Sequence, residues 1–153
     1  MHKELLVIAR ELADREPGRP KKESLARAVS TAYYALFHAL ADLCGRELIG
    51  AWRPWTPFRH IYRSLEHGTA RRVFEAMRAS RDFGTDAKRV GEAFVLLQKL
   101  RHEADYDLGY RTIRQEVHDL IDRADESIAL LNHLDPGERK LLAARLIGRT
   151  RAS

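Results

Sequence analysis

The segment KKESLARAVSTAYYALFHALADLCG, residues 21–45, decides the fold class. Its apolar side chains recur every three or four positions, as they do on one face of an α-helix. Aromatic and cysteine side chains widen this stripe to about half of the helix circumference. Residues 21–45 are therefore predicted to form the central helix of a bundle. The side chains predicted to face inward are Leu25, Val29, Ala32, Tyr33, Leu36, Phe37, Ala39, Leu40, Leu43 and Cys44.

The other face of this predicted helix is not an ordinary lysine and glutamate surface. Four polar residues follow one line at helical spacing: Arg27, Thr31, Tyr34 and His38. This line presents a guanidinium, a hydroxyl, a phenol and an imidazole. Together these groups can bind a phosphate, stack on a base and exchange a proton near neutral pH. A line of hydrogen-bonded residues beneath a neighbouring helix is the structural alternative. The pattern leaves both interpretations open.

The rest of the chain continues the helical pattern, and no segment has the apolar–polar alternation of a strand. The 153 residues are therefore predicted to form a single all-α domain. We expect an up-and-down helical bundle of about five to six helices. Its predicted parts are an N-terminal helix at 1–15, a turn at 16–20, a core bundle at 21–134, and a C-terminal helix and tail at 135–153.

A short basic helix is predicted at residues 57–67. Thr56 fits a helix cap, the proline after it fits the first helical position, and Gly68 fits the end. The outer side of this helix would form a basic edge that binds an anion, or an ordinary solvated face. The residues predicted there are His60, Arg63 and His67.

Two later helix starts also carry local signals. Thr112 and Gln115 have the spacing of a capping box, and Ile113 is predicted to begin the inward stripe of the following helix. Asp135 followed by Pro136 fits the start of the last helix.

The segment LRHEADYD, residues 100–107, breaks several preferences of a helix end. On a helix Arg101 falls within the apolar stripe, where a guanidinium stays charged and needs a carboxylate, a phosphate or a wet cleft. The last turn also carries acids, which the helix dipole disfavours, namely Glu103, Asp105 and Asp107. Such breaks tend to mark sites. A structural ion pair of Arg101 with Asp105 explains them equally well.

The net charge of +5 is concentrated in one part of the chain. Residues 51–90 contain nine lysines and arginines against four acids, so this excess of five equals the whole net charge. A localised basic region predicts a partner that bears phosphates, such as a nucleic acid or a nucleotide. Arginines on solvated helix faces are the alternative.

Several classes of protein are disfavoured by the sequence. Cys44 is the only cysteine, which excludes an internal disulfide and suits a reducing cytoplasm. The first ten residues have only a short apolar run followed by charge, so neither a signal peptide nor a membrane span is expected. Because no P-loop, dinucleotide glycine motif or metal-ligand spacing occurs, we expect no cofactor and no metal. We predict a cytoplasmic protein.

Three segments together resemble the HEPN superfamily of prokaryotic helical domains. They are STAYYALFHAL at 30–40, IYRSLEHG at 61–68 and LRHEADYD at 100–107, and they occur in the family's order. The resemblance is to the branch with an AYYA-F-H helix and an R-x-x-ADYD motif. It implies a HEPN-like bundle that forms a homodimer and acts on or binds RNA or nucleotide.

The resemblance also implies an activity, metal-independent endoribonuclease cleavage. Family members carry an Arg-x(4–6)-His motif, in which arginine stabilises the charged transition state and histidine transfers a proton. Here Arg101 is followed five positions later by Tyr106, a weak base at neutral pH, so the motif is degenerate. The catalytic candidates are Arg101, Asp105, Tyr106 and a relocated histidine, His38 first and His67 second. The candidates for nucleic-acid binding are Arg27, Tyr34, Arg63, His67 and His102.

Two functions stand side by side at this point. The first is a HEPN-like RNA- or nucleotide-binding protein of the toxin or defence type. The second is a non-catalytic helical dimerisation module that partners a nucleotidyltransferase-type antitoxin. The resemblance also implies that proteins of the first kind often pair with a nucleotidyltransferase-type partner, which modifies some of them on a tyrosine near the motif; Tyr106 matches that position by analogy.

Overall fold

The computed structural model describes residues 1–148 and confirms the all-α fold class. Within this range the chain forms seven helices, one more than the upper end of the predicted five to six, and no strand. The helices are α1 (His2–Ala13), α2 (Lys22–Leu48), α3 (Trp55–Ser64), α4 (His67–Met77), α5 (Thr85–Tyr106), α6 (Arg114–His133) and α7 (Pro136–Ile147). The end of the predicted C-terminal tail, residues 149–153, lies outside the described residues.

Helix α2 is the centre of the bundle, as its sequence predicts. It packs against α1, α3, α5, α6 and α7. All ten side chains predicted to face inward are buried. The buried surface is wider than the predicted stripe, because Ala28, Ala35 and Ala41 are also fully enclosed. Small side chains on these flanks let five helices approach one central helix closely.

The turn between α1 and α2 is held by one side chain of α6. Arg114 donates hydrogen bonds to the carbonyl oxygens of Ala13 at 2.9 Å, Glu16 at 2.7 Å and Gly18 at 2.9 Å. The last carbonyl groups of a helix have no hydrogen-bond donor within the helix, and the Arg114 guanidinium is the donor for Ala13 at the end of α1. Arg114 therefore fixes α1 and the start of α2 relative to α6.

The boundary between α3 and α4 differs from the prediction. Helix α3 starts at Trp55, two residues before the predicted start, and ends at Ser64. Leu65 and Glu66 are extended, which buries the Leu65 side chain and lets the Glu66 carbonyl accept the N–H of Ala70. The predicted end at Gly68 is therefore wrong, since this glycine lies in the first turn of the next helix. The break turns the chain so that His67 opens α4.

The predicted capping box before α6 is also wrong. Thr112 donates its hydroxyl hydrogen to Glu116 at 2.9 Å, and no side chain caps α6. Ile113 precedes the helix in extended conformation and is exposed, not inward. The last helix starts as predicted, with the Asp135 carboxylate accepting the N–H of Gly137 at 3.0 Å.

Helices α4 and α5 approach closely at one glycine. A Cβ atom on Gly91 would lie 2.9 Å from the Phe74 ring, so the close contact requires glycine there. This contact places the start of α4 beside the second half of α5. None of the helices in residues 1–148 is both long and apolar enough to span a membrane.

Candidate functional site

Arg101 lies near the end of α5 with its side chain 19% exposed. Its guanidinium donates to the Tyr34 hydroxyl at 2.8 Å and sits 5.5 Å and 5.3 Å from the ring centres of Tyr33 and Tyr34. Nε lies 3.3 Å from a carboxylate oxygen of Asp105, at ion-pair distance, yet it makes no hydrogen bond among the described residues. The aromatic faces and one carboxylate thus hold the cation, while one buried donor stays unused.

His67, at the start of α4, is fixed by contacts from two other helices. Its Nδ1 shares a hydrogen bond of 2.5 Å with the hydroxyl of the buried Tyr33. Its ring stacks on Phe37 of α2 with 4.0 Å between centres and 14° between planes. Gln98 of α5 donates to its carbonyl oxygen at 3.0 Å. Since Nδ1 is occupied, Nε2 is the nitrogen that can exchange a proton.

His38 has an equivalent arrangement with α3. Its Nδ1 shares a hydrogen bond of 2.5 Å with the Tyr62 hydroxyl, and the two rings stack at 5.8 Å. The His38 ring also lies 6.4 Å from the ring of Tyr34, which contacts Arg101. The two imidazoles and the guanidinium therefore belong to one group of contacts. We call it the polar cluster, made of Tyr33, Tyr34, His38, Tyr62, His67, Arg101 and Asp105.

Burial sets the protonation of the polar cluster. It lowers the pKa of both imidazoles; the charges of the N-terminal amine and His2 lower that of His38 further, and those of Arg101 and His38 lower that of His67. Burial also raises the pKa of Tyr33 and Tyr62. At neutral pH His38 and His67 are therefore neutral and Tyr33 and Tyr62 are protonated, while a guanidinium such as that of Arg101 stays charged.

The structure brings together five of the predicted site residues and separates the other four. Those together are Tyr34, His38, His67, Arg101 and Asp105. Tyr106 is 70% exposed and contacts His102, with 4.9 Å between ring centres, on the outside of α5. Arg27 and Arg63 are exposed on α2 and α3.

Three members of this neighbourhood were missed by sequence reasoning as functional residues. Tyr33 and Tyr62 fall on apolar stripes, where the helical period marks them as core, and Gln98 has no distinctive neighbour in sequence. Each acquires its role through a partner on another helix. The sequence offers a signal for only one of the three: Gln98 lies one helical turn before Arg101, so the two side chains share a face of the helix.

The lowered pKa values predict that acid weakens the fold. When the pH falls below 6.5, the ordinary pKa of histidine, His38 and His67 bind protons in the unfolded chain but remain neutral in the folded protein. The free energy of unfolding should be highest above about pH 6.5 and should fall as the pH drops from there toward the lowered native values. Urea unfolding at a series of pH values from about 7.5 to 5.5 measures this slope.

A variant with His38→Gln and His67→Gln is the control for that measurement. Glutamine keeps a hydrogen-bonding side chain and does not titrate, so the slope of stability against pH in this window should become smaller than in the wild type. Identical slopes in the two proteins would show that these imidazoles do not control the acid response.

The described residues offer no evident metal centre, since no group of three or more His, Cys, Asp or Glu side chains in 1–148 is arranged to hold an ion. Comparisons of the chain with protein-family models, with curated proteins and with solved structures give no match.

Proposed function

We propose that this protein is a HEPN-like RNA- or nucleotide-binding protein of the toxin or defence type, and that it cleaves RNA without a metal ion at the polar cluster. One observation carries the proposal: the Arg101 guanidinium contacts Tyr33 and Tyr34, and these two rings contact His67 and His38 in turn. A permanent cation and two imidazoles from three helices therefore belong to one half-buried cluster. A neutral imidazole can accept a proton at pH 7, and a fixed cation can stabilise a charged phosphate.

The reaction requires a base, a cation and a proton donor. The Nε2 atom of His38, or of His67 as the second candidate, takes the proton of a ribose 2′-hydroxyl. The 2′-oxygen then attacks phosphorus, and the bond from phosphorus to the 5′-oxygen breaks. The new imidazolium returns its proton to the leaving 5′-oxygen, while Arg101 stabilises the extra negative charge on the phosphate. No metal or further reactant is needed, and a 2′,3′-cyclic phosphate forms.

The cation in this scheme is suited to phosphate. A guanidinium presents several donors in a plane and cannot lose its charge. The Nε of Arg101 is a buried donor that makes no hydrogen bond among residues 1–148, although Asp105 lies 3.3 Å from it. The side-chain oxygen of Gln98 is a buried acceptor without a hydrogen bond in the same range. A buried donor without a partner is costly unless a ligand or water satisfies it. An RNA phosphate is a partner of the right charge.

A second candidate function is favoured by the position of Tyr106. This tyrosine is 70% exposed at the end of α5, where an enzyme can reach its hydroxyl. A non-catalytic dimerisation module that is modified there by a nucleotidyltransferase-type partner would use Tyr106 and would leave the Arg101–Asp105 pair as scaffold. This function predicts no cleavage by the purified protein.

RNA cleavage in the presence of EDTA tests the proposal. The wild-type protein should cleave mixed RNA under these conditions, and His38→Ala should lower the rate by about 10²-fold or more, since loss of a proton-transfer group has effects of this size. His67→Ala identifies which imidazole carries the larger share. Circular dichroism checks that each variant keeps its helices.

His118→Ala is a matched control for the loss of an imidazole. His118 contacts Asp14 at 2.7 Å, between α6 and the end of α1, and has no contact with the polar cluster. Its removal should leave cleavage unchanged. If the wild type does not cleave RNA, alone or after any co-purifying partner is removed, the second candidate function becomes the better one.

A further inference from the structure

Both tryptophans of the chain lie in one short exposed segment. Trp52 is 51% exposed in the loop before α3, and Trp55 is 55% exposed at the first position of that helix. Indole rings are large apolar groups, and leaving two of them in water costs the stability that burial would provide. Exposed aromatic rings of this kind are typical of surfaces that bind a ligand.

Contacts with neighbouring side chains hold both indole rings in position. The guanidinium of Arg46 lies 4.3 Å from the centre of the Trp52 ring, and the Trp52 indole nitrogen donates to Asp42 at 2.9 Å. The Trp55 ring stacks on the buried Phe58, with 6.0 Å between ring centres and 18° between planes. The Trp55 ring is thus supported by a buried ring and the Trp52 ring by two side chains of α2, and the exposed part of each indole can stack on another flat group.

The segment that carries these rings has charges of one sign, although Asp42 of α2 contacts the Trp52 nitrogen. Residues 49–65 contain three arginines and no acid. Arg53, Arg59 and Arg63 are exposed, and none of them forms an ion pair with another residue in 1–148. Unpaired arginines beside exposed indoles suit a ligand that carries both negative charge and flat rings.

A continuous line of aromatic contacts joins this surface to the polar cluster. Phe58, under the Trp55 ring, lies 6.2 Å from Tyr62, and Tyr62 stacks on His38 at 5.8 Å. On α3, Trp55, Arg59 and Arg63 follow at four-residue spacing, beside the line of Phe58 and Tyr62. A flexible strand seated at the cluster could therefore continue along this face of α3.

We propose that Trp52, Trp55, Arg53, Arg59 and Arg63 form a stacking subsite for the unpaired bases of a single-stranded RNA whose phosphate lies at the polar cluster. We call these five residues the tryptophan–arginine surface. This inference rests on the proposed function and adds the class of substrate, an extended single strand longer than the cluster alone can hold. Bases stack on the indoles while the arginines contact the phosphates, so binding tolerates many sequences.

A protein partner would also use tryptophan and arginine. The absence of any acid in residues 49–65 favours the polyanion, because a protein surface complementary to three unpaired arginines would have to be strongly acidic. A second copy of this chain would place its own arginines against these and repel them.

Intrinsic fluorescence tests the inference directly, because the chain has no tryptophan outside this surface. The probe is a 2′-O-methyl oligouridylate of about eight nucleotides, which cannot be cleaved by attack of the 2′-oxygen. Stacking on the indoles should quench the emission as the probe saturates. An abasic ribose-phosphate chain of equal length should bind more weakly and leave the emission nearly unchanged.

Single substitutions separate stacking from charge. Trp55→Ala should weaken binding of the oligouridylate about tenfold, and Trp55→Phe should recover much of this loss. Arg59→Ala should lower the slope of log affinity against log salt concentration by the amount that corresponds to the loss of about one phosphate contact. Val7→Ala, which trims an equally exposed apolar side chain on α1, should change neither quantity.

Each outcome bears on one of the two proposals. If the probe binds by anisotropy with unchanged affinity for Trp55→Ala and without quenching, the subsite is refuted and the proposed RNA function stands. If no RNA binds at any salt concentration, the proposed function fails and the subsite fails with it. Emission that shifts with protein concentration alone would assign the surface to self-association and refute the subsite.

Discussion

Replacing Arg101 with alanine is expected to lower the rate of RNA cleavage in EDTA by about 10²- to 10³-fold, the usual effect of removing one preorganised group that stabilises transition-state charge. The guanidinium is the permanent cation of the polar cluster, and Tyr33, Tyr34 and Asp105 fix its position. Preorganised charge is effective because it needs no rearrangement when the phosphate gains its extra charge. Single-turnover cleavage of a labelled RNA measures the change.

Two further variants decide whether charge or geometry matters at this position. Arg101→Lys keeps the charge but loses the planar fork that lies against the tyrosine rings, so it should recover only part of the rate. Arg89→Ala removes one positive charge from the exposed face of the same helix and should have little effect on the chemical step. Cleavage by Arg101→Ala at the wild-type rate would assign the guanidinium to the scaffold.

Replacing Phe94 with alanine should lower the free energy of unfolding by about 3–5 kcal/mol, as expected for deleting a fully buried aromatic side chain. Phe94 is fully buried on α5, with its ring centre 5.4 Å from that of Tyr33 and 5.1 Å from that of Phe74. It joins α2, α4 and α5 directly beneath the polar cluster. The cavity would also loosen Tyr33, the partner of His67, so cleavage should fall together with stability.

Leu108→Ala is the control for this prediction, because its side chain is 90% exposed in the loop after α5. Urea unfolding followed by circular dichroism should give a midpoint for Leu108→Ala close to that of the wild type. A loss of less than about 1 kcal/mol in Phe94→Ala would mean that the neighbouring rings collapse into the space, and that the core below the cluster is less rigid than its packing indicates.

Most of the fold could be predicted from the helical periodicity of the apolar residues. The inward side chains of α2 were predicted correctly because burial repeats with the turn of the helix. The period does not give helix ends, which depend on single backbone conformations. Leu65 and Glu66 leave the helical conformation because Leu65 is buried in a tertiary contact, and no local signal announces this. Ile113 was misplaced because α6 starts one residue later, at Arg114, so the extended backbone of Ile113 leaves its side chain exposed.

The candidate site was predictable only where its contacts are local. Arg101 and Asp105 are one turn apart, so their ion pair could be expected from spacing alone. The pairs Tyr33–His67 and His38–Tyr62 join residues that are 34 and 24 positions apart. Such pairs depend on how helices are arranged in space, and the period of one helix contains no information on this.

The contact of Gly91 with Phe74 has a consequence for how this sequence can vary. A methyl group at position 91 would strike the ring, so a larger residue there is compatible with the fold only if position 74 becomes smaller. The two positions should therefore covary, exchanging volume across the interface of α4 and α5. Helix α4 begins with His67 and α5 carries Arg101. Such an exchange of volume can therefore preserve the distance between the imidazole and the guanidinium while the surrounding core residues change in sequence.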